Sequence, residues 1–281
     1  MNKEQASVLA ETSWLEDHLN DPNVRVIEIE GLFIPYNFSG YIPGSVVLNW
    51  RKDFWRPENR DFLRKDQFEA LMSRIGVSNN TTVILSSLRK QFSTYAFWLL
   101  KYYGHEDARV LNGGLAKWMG ENRPLVAQPT NRTFASVKYQ AKDRNESMRA
   151  MRDYVLDHLG KSDVAIVDVR SPQEYHGELF APPGTPQEGA YCKGRIPGAV
   201  GIHFEENVQP DQTFKSPEEL RKIYDAKGLT PQKEIIVYCR TGHRASFAWF
   251  TLTYLLGYPR VRVYDGSWTE WGNLVSAPIE I

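Results

Sequence analysis

What most limits the folds open to this chain is that it repeats itself. YIPGSVVLNW, Tyr41 to Trp50, is echoed by RIPGAVGIHF, Arg195 to Phe204. IGVSNNTTVILSS, Ile75 to Ser87, is echoed by KGLTPQKEIIVYC, Lys227 to Cys239. YGHEDARVLNGGLAKW, Tyr103 to Trp118, is echoed by LGYPRVRVYDGSWTEW, Leu256 to Trp271. The offsets are 154, 152 and 153 residues. VRVIEIE from Val24 matches VAIVDVR from Val164 at a smaller offset, so the second copy carries an insertion. The Pro- and Gly-rich stretch HGELFAPPGTPQEGAYC is its expected place. A period this long means duplicated domains, not a solenoid.

Each copy reads alike. A short helix (TSWLEDHL, MRDYVLDHL) precedes a buried strand (VRVIEI, AIVDV), and a loop ending in I-P-G leads to a second strand (VVLNW, VGIHF). A helix (KDQFEALMSRIG, SPEELRKIYDAKG), a third strand (TVILSS, IIVYC), an apolar helix, a fourth strand (ARVLNGG, VRVYDGS) and a last helix around Trp118 or Trp271 follow. Strands alternating with helices predict an α/β protein of two domains, each a mainly parallel sheet flanked by helices on both faces. The expected boundaries are 1–125, a linker at 126–146 without clear periodicity, and 147–281.

Charge narrows the partners. Lys and Arg number 34, as do Asp and Glu, so no global field favours nucleic acid or an anionic membrane, and neither is an expected partner. No apolar run approaches the roughly 20 residues that cross a bilayer, and the N-terminus shows no secretory signal. The expected location is cytoplasmic, with both cysteines, Cys192 and Cys239, as thiols. The six histidines form no H-x-x-x-H and the cysteines no C-x-x-C, so neither a metal nor a cofactor is expected.

The sharpest local feature is IIVYCRTGHRASFAWF, Ile235 to Phe250, in which a buried strand runs into Cys239 and an apolar helix follows, expected from near Ala245. Ligands of open parallel sheets bind beyond the carboxyl ends of the strands. A helix N-terminus favours negative charge, and Arg240 and Arg244 add full cations on the same loop. Gly242 lets the loop fold tightly enough for its amides to converge. An ordinary thiol, with a pKa near about 8.5, is only a few per cent ionised at neutral pH, whereas these surroundings favour the thiolate. An inert core cysteine is the rival reading, and R-T-G-H-R argues against it. Cys192, in an irregular segment, is read as packing. Loop length separates two chemistries. Tyrosine and dual-specificity phosphatases cradle phosphate with C-x5-R, while C-x4-R here makes a tighter ring suited to a single sulfur atom.

With VDVRSPQEY (Val167 to Tyr175), GRIPGA (Gly194 to Ala199), VYCRTGHRAS (Val237 to Ser246) and YDGSWTEWGN (Tyr264 to Asn273) in this order, the chain resembles the tandem-domain rhodaneses, the thiosulfate sulfurtransferases. In the first copy YIPGS, DFW and NGGLAKW carry the likeness. The resemblance implies two rhodanese-like domains, the C-terminal one catalytic and the N-terminal one without its cysteine, whose place Ser87 takes. It implies ping-pong transfer of sulfane sulfur from thiosulfate to cyanide or a thiol acceptor through a Cys239 persulfide. Arg240, Thr241, Gly242, His243 and Arg244 would form the substrate loop, and Arg240 and Arg244 would hold the sulfonate end. Asp168, Arg170 and Ser246 would support it, the first two by orienting and neutralising the surroundings of the loop. Users of 3-mercaptopyruvate resemble C-G-S-G and thiosulfate users C-R-K-G. The C-R-T-G here favours thiosulfate through Arg240, although Thr241 stands for the lysine, and Glu174 stands where some members place a substrate-holding arginine. A mercaptopyruvate sulfurtransferase, a persulfide carrier in a biosynthetic relay, and a phosphatase or arsenate reductase are the alternatives.

Overall fold

The structure, a computed structural model, describes residues 8–31, 38–130, 134, 137–182 and 189–281. It divides into two compact units, Met1–Asn145 together with Gln209–Phe214, and Glu146–Val208 together with Lys215–Ile281. Part of the expected insertion (183–188) and part of the expected linker (131–133 and 135–136) lie outside the described residues.

The first unit holds β1 (Leu9–Ala10), β2 (Val24–Glu30), β3 (Val46–Asn49), β4 (Thr82–Ser86) and β5 (Ala108–Leu111), in sheet order β1-β5-β4-β2-β3. The second holds β6 (Arg149–Ala150), β7 (Val164–Asp168), β8 (Val200–Gly201), β9 (Glu234–Tyr238) and β10 (Val261–Tyr264), in order β6-β10-β9-β7-β8. Every pairing is parallel, and the two orders are the same permutation. The central strands β4 and β9 are buried nearly throughout, as a sheet covered on both faces requires. Val83, Ile84 and Leu85 are fully buried in β4, as are Ile235, Ile236 and Val237 in β9. In the second unit Val155, Ile166, Ile236, Tyr264, Trp268 and Trp271 form one core cluster. Each large apolar side chain of this kind contributes about 1.5–3 kcal/mol by leaving water.

The edges differ from the sequence expectation. The strand expected at VGIHF is only two residues long. Beyond it the Ile202 and Phe204 N–H groups still bond the Asp168 and Val169 carbonyls, but Phe204–Asn207 has already wound into a 3-10 turn. In the first unit Asn49 ends β3 by capping helix Trp50–Phe54, accepting the Arg51 and Lys52 N–H groups. The tryptophans are packing elements. Trp268 and Trp271 are buried and donate to the Cys192 and Pro278 carbonyls, and Trp50 and Trp55 stack edge-to-face within the first unit. Within the segment expected as a linker, Tyr139 and Ala141 are buried, and the Ala141 N–H donates to Glu69.

Candidate active site

Cys239 follows the last residue of β9 and is 1% exposed. Gly242 takes a left-handed conformation at φ +89°, and helix His243–Phe250 starts directly after it, two residues before the expected start. A Cβ at Gly242 would stand 2.5 Å from Asp265 Oδ1, so that carboxylate lies flat against the loop. Asp265 is itself held by Arg149 at 2.9 Å, with both side chains buried. The Cys239 N–H is turned away from the loop and donates to Ser267 Oγ at 3.1 Å. The Cys239 and Arg240 carbonyls accept the Trp268 and Thr269 N–H groups. Among the described residues, the N–H groups of Gly242, Arg244 and Ala245 donate to no protein acceptor. They are the unsatisfied donors of a helix start, arranged around the loop that begins at Cys239.

The cations are placed differently from one another. Arg244, expected from sequence to face an anionic donor, is 11% exposed and held by Glu174, Nη1 to Oε2 at 2.7 Å and Nη2 to Oε1 at 2.9 Å. Burial opposes its charge, yet the Glu174 carboxylate outweighs burial, and Cys239 and Asp168 add to it. Arg244 therefore lies above the ordinary arginine value. Burial would raise the Glu174 carboxyl, but Arg244, the Ser171 N–H and Arg170 outweigh it and hold Glu174 below the ordinary glutamate value. Arg240 is half-buried at the loop. Thr241 Oγ1 and His243 Nδ1 are 3.0 Å apart, so His243 is engaged with the loop itself. Ser246 Oγ donates to the His243 carbonyl at 2.7 Å and serves the first turn of the helix.

Asp168 and Arg170 lie behind the loop with no exposed side-chain surface. Arg170 bonds Asp168 through Nε at 2.9 and 3.0 Å, reaches the Gly194 carbonyl at 2.7 Å, and stacks 4.5 Å over the Trp268 ring. Tyr238 OH donates to Asp168 Oδ2 at 2.6 Å and accepts the Ile196 N–H, tying the I-P-G loop to β9. The structure thus gathers Cys239, the loop 240–244, Ser246, Asp168 and Arg170 at one end of one sheet. Cys192 is half-buried and contributes its backbone, bonded to Gly272 and Trp268; neither cysteine is in a disulfide.

Three residues escaped the sequence reading. Ser267, at φ +52°, accepts the Cys239 N–H; its signal was the change from Gly114 in NGG to Ser267 in DGS. A non-glycine residue held in that region is a mark of functional sites. Glu174 was noted only as a departure, and its partner Arg244 is 70 residues away. His203 stands close enough to Arg244 that burial, with help from that cation, lowers its pKa. Among the described residues no group of His, Cys, Asp or Glu could hold a metal ion.

The equivalent place in the first unit is built otherwise. Ser87 Oγ donates to the Ile29 carbonyl at 2.8 Å. Helix Lys90–Tyr102 begins at the position matching Gly242, and Phe92 matches Arg244. Glu28 and Glu30 stand where the second unit has Asp168 and Arg170. A cavity of about 40 Å³ remains there, lined by Glu28, Glu30, Phe38, Ser87, Phe92 and Leu115 among others.

Comparison with known proteins places the chain in a family. The family described as "Rhodanese-like domain" matches residues 11–121 and 151–274. The chain is 50% identical over 276 residues to "Sulfur carrier protein TtuD" of Thermus thermophilus, covering 97% of this chain and 96% of that protein. It is 43% identical over 278 residues to a "Putative thiosulfate sulfurtransferase" of Mycolicibacterium smegmatis, covering 99% of each. Among solved structures, an EanB variant with a cysteine persulfide and ergothioneine superposes with a TM-score of 0.84 at 26% identity, over 99% of this chain and 71% of that one.

Proposed function

This chain belongs to the rhodanese family of sulfurtransferases, and from that premise we propose that it carries sulfane sulfur as a persulfide on Cys239, with thiosulfate as donor. The observation that carries the reading is the cysteine at the end of β9 followed within three residues by a left-handed glycine and the unbonded amides of a helix start. Those donors stabilise a negative sulfur, whether thiolate or persulfide.

In the first half-reaction the Cys239 thiolate attacks the outer sulfur of thiosulfate. The new Cys–S bond forms as the S–S bond of thiosulfate breaks, and sulfite leaves with the electron pair. In the second, cyanide or a thiolate attacks the outer sulfur of the persulfide, and Cys239 leaves as thiolate. Arg240 meets the sulfonate end of the donor. Asp168, Arg170 and Ser246 hold the loop's backing in place. The cytoplasm, with its reduced thiols, suits both steps.

A second reading, a carrier loaded by another protein and unloaded to a biosynthetic partner, is favoured by the relative named a sulfur carrier and by the capture of Arg244 by Glu174. One experiment separates them. Mass spectrometry after thiosulfate treatment should show one added sulfur on Cys239, with thiosulfate:cyanide turnover that Cys239→Ser lowers by at least about a thousandfold. Negligible turnover beside efficient loading from a cysteine desulfurase selects the carrier. Undiminished turnover by Cys239→Ser overturns both readings.

A further inference from the structure

We infer that Glu174 is a positioning residue that sets donor preference, by holding Arg244 as a fixed wall of the Cys239 loop and withholding its charge from the donor. The inference rests on the sulfur-transfer reading above and adds a role for a side chain to which that reading gives none.

Glu174 has no exposed side-chain surface and is the last but one residue of the short helix Pro172–Tyr175. It is locked from two sides. Its Oε2 accepts the Ser171 N–H at 3.0 Å, while its own N–H donates to Ser171 Oγ at 3.2 Å, a reciprocal cap. The same carboxylate takes both terminal nitrogens of Arg244, the paired geometry that fixes a guanidinium most firmly. Arg244 is therefore oriented by a second element of the fold, not by its own loop.

The charge balance follows. Around the loop stand three buried cations, Arg149, Arg170 and Arg244, and each is matched by a buried carboxylate, Asp265, Asp168 or Glu174. The positive field left for the sulfur comes from the amides of Gly242, Arg244 and Ala245, with His203 beside Arg244 kept toward its neutral form by burial and by that cation. An unmatched guanidinium here would hold the thiolate, a dianionic donor and the departing sulfite more tightly. A more stabilised thiolate is also a weaker nucleophile. Glu174 thus exchanges donor affinity for turnover, and suits the site to donors with less negative charge, such as a protein-bound persulfide.

The test uses the full chain with Glu174→Gln, which keeps the shape and removes the charge, and Glu174→Asp, which keeps the charge. Three quantities are read: iodoacetamide alkylation of Cys239 at mildly acid pH, and KM and kcat for thiosulfate. Glu174→Gln should speed alkylation about fivefold and lower KM about fivefold while kcat falls, and Glu174→Asp should stay within about twofold of the parent in alkylation. A fall in kcat with alkylation and KM unchanged, or a rise in KM, would mean that Glu174 is merely structural and overturns the inference. Should Glu174→Gln not fold, the double variant Glu174→Gln, Arg244→Gln decides: alkylation within about twofold of the parent supports the inference, because the pair's charges cancel at the sulfur, and alkylation slowed or sped by more than about fivefold overturns it. Alkylation needs no donor, so failure of thiosulfate to load the parent chain counts against the sulfur-transfer reading and leaves this result standing.

Discussion

Glu28 and Asp168 occupy the same step of the repeat and are satisfied by different means. Asp168 has Arg170 and Tyr238; Glu28, one methylene longer, takes the Ile42 N–H and the Ser45 hydroxyl on Oε1 and, among the described residues, pairs with no cation. Burial, the largest cause, pushes its carboxyl up to about 7, and Glu30 adds to the rise. The folded chain therefore holds the proton more tightly than the unfolded one. The resulting contribution to stability is full below about pH 4.5 and is lost as pH rises through about 7, a change of at most about 3 kcal/mol. Glu28→Gln keeps both bonds on Oε1. It should raise the thermal unfolding midpoint above about pH 8 by the equivalent of about 1–3 kcal/mol and leave it nearly unchanged near about pH 4. An equal effect at both pH values would show that the carboxylate is not the cause. Side chains of this kind mark the limit of the sequence reading. Cys239, Arg240 and Arg244 stand in one run of residues, so their nearness was legible, but the place expected for Arg244 at the donor was not what the structure shows. The Glu174–Arg244 pair and the Ser267 hydroxyl under Cys239 depend on partners 70 and 28 residues away, which spacing does not disclose.

Elements follow the same division. Strands β4, β7 and β9 were legible as short apolar runs and β2 as a β-branched stretch that matches β7 in the repeat. The two-residue strands β1 and β6 were not, since they exist only by pairing with β5 and β10. After Phe250 the helix changes its winding. It widens into a π turn at Thr251–Leu255, closed by the Leu256 N–H to the Thr251 carbonyl. The loop between β9 and the following helix depends on one backbone conformation. Gly242→Ala places a Cβ against Asp265, which cannot yield because Arg149 holds it, and forces alanine to positive φ. Thermal or denaturant unfolding should show a loss of about 1–3 kcal/mol, and sulfur transfer should fall at least about tenfold. Parental turnover in that variant would mean that the cradle does not need the left-handed turn.

For the whole molecule, duplication was the part most open to reading, because a repeated pattern needs no three-dimensional knowledge to be seen. It predicted two sheets, and both have the same strand order. What the pattern did not disclose is how far the first copy has been rebuilt. At Ser87 the side chain points to a carbonyl, the glycine is replaced by Lys90 inside a helix, and the arginines have become Phe92 and Glu30. Ser87→Ala should therefore leave thiosulfate turnover within about twofold of the parent. Ser87→Cys should gain no sulfur by mass spectrometry, since a thiolate there would meet the Ile29 carbonyl oxygen. A persulfide on that cysteine would show that the first unit still supports the chemistry. No described helix is long and apolar enough to cross a membrane.

Residues Gln209–Phe214 belong by chain order to the second copy and by packing to the first, where Lys90 Nζ donates to Gln212 and the Phe214 N–H donates to Asn112. Severing the gene between Asn145 and Glu146 would consequently not yield two self-sufficient polypeptides. One fragment would carry a hairpin-sized orphan, and the other would lose the lodger it grew up around. Any attempt to transplant the second copy onto another scaffold must graft that loop's berth along with it.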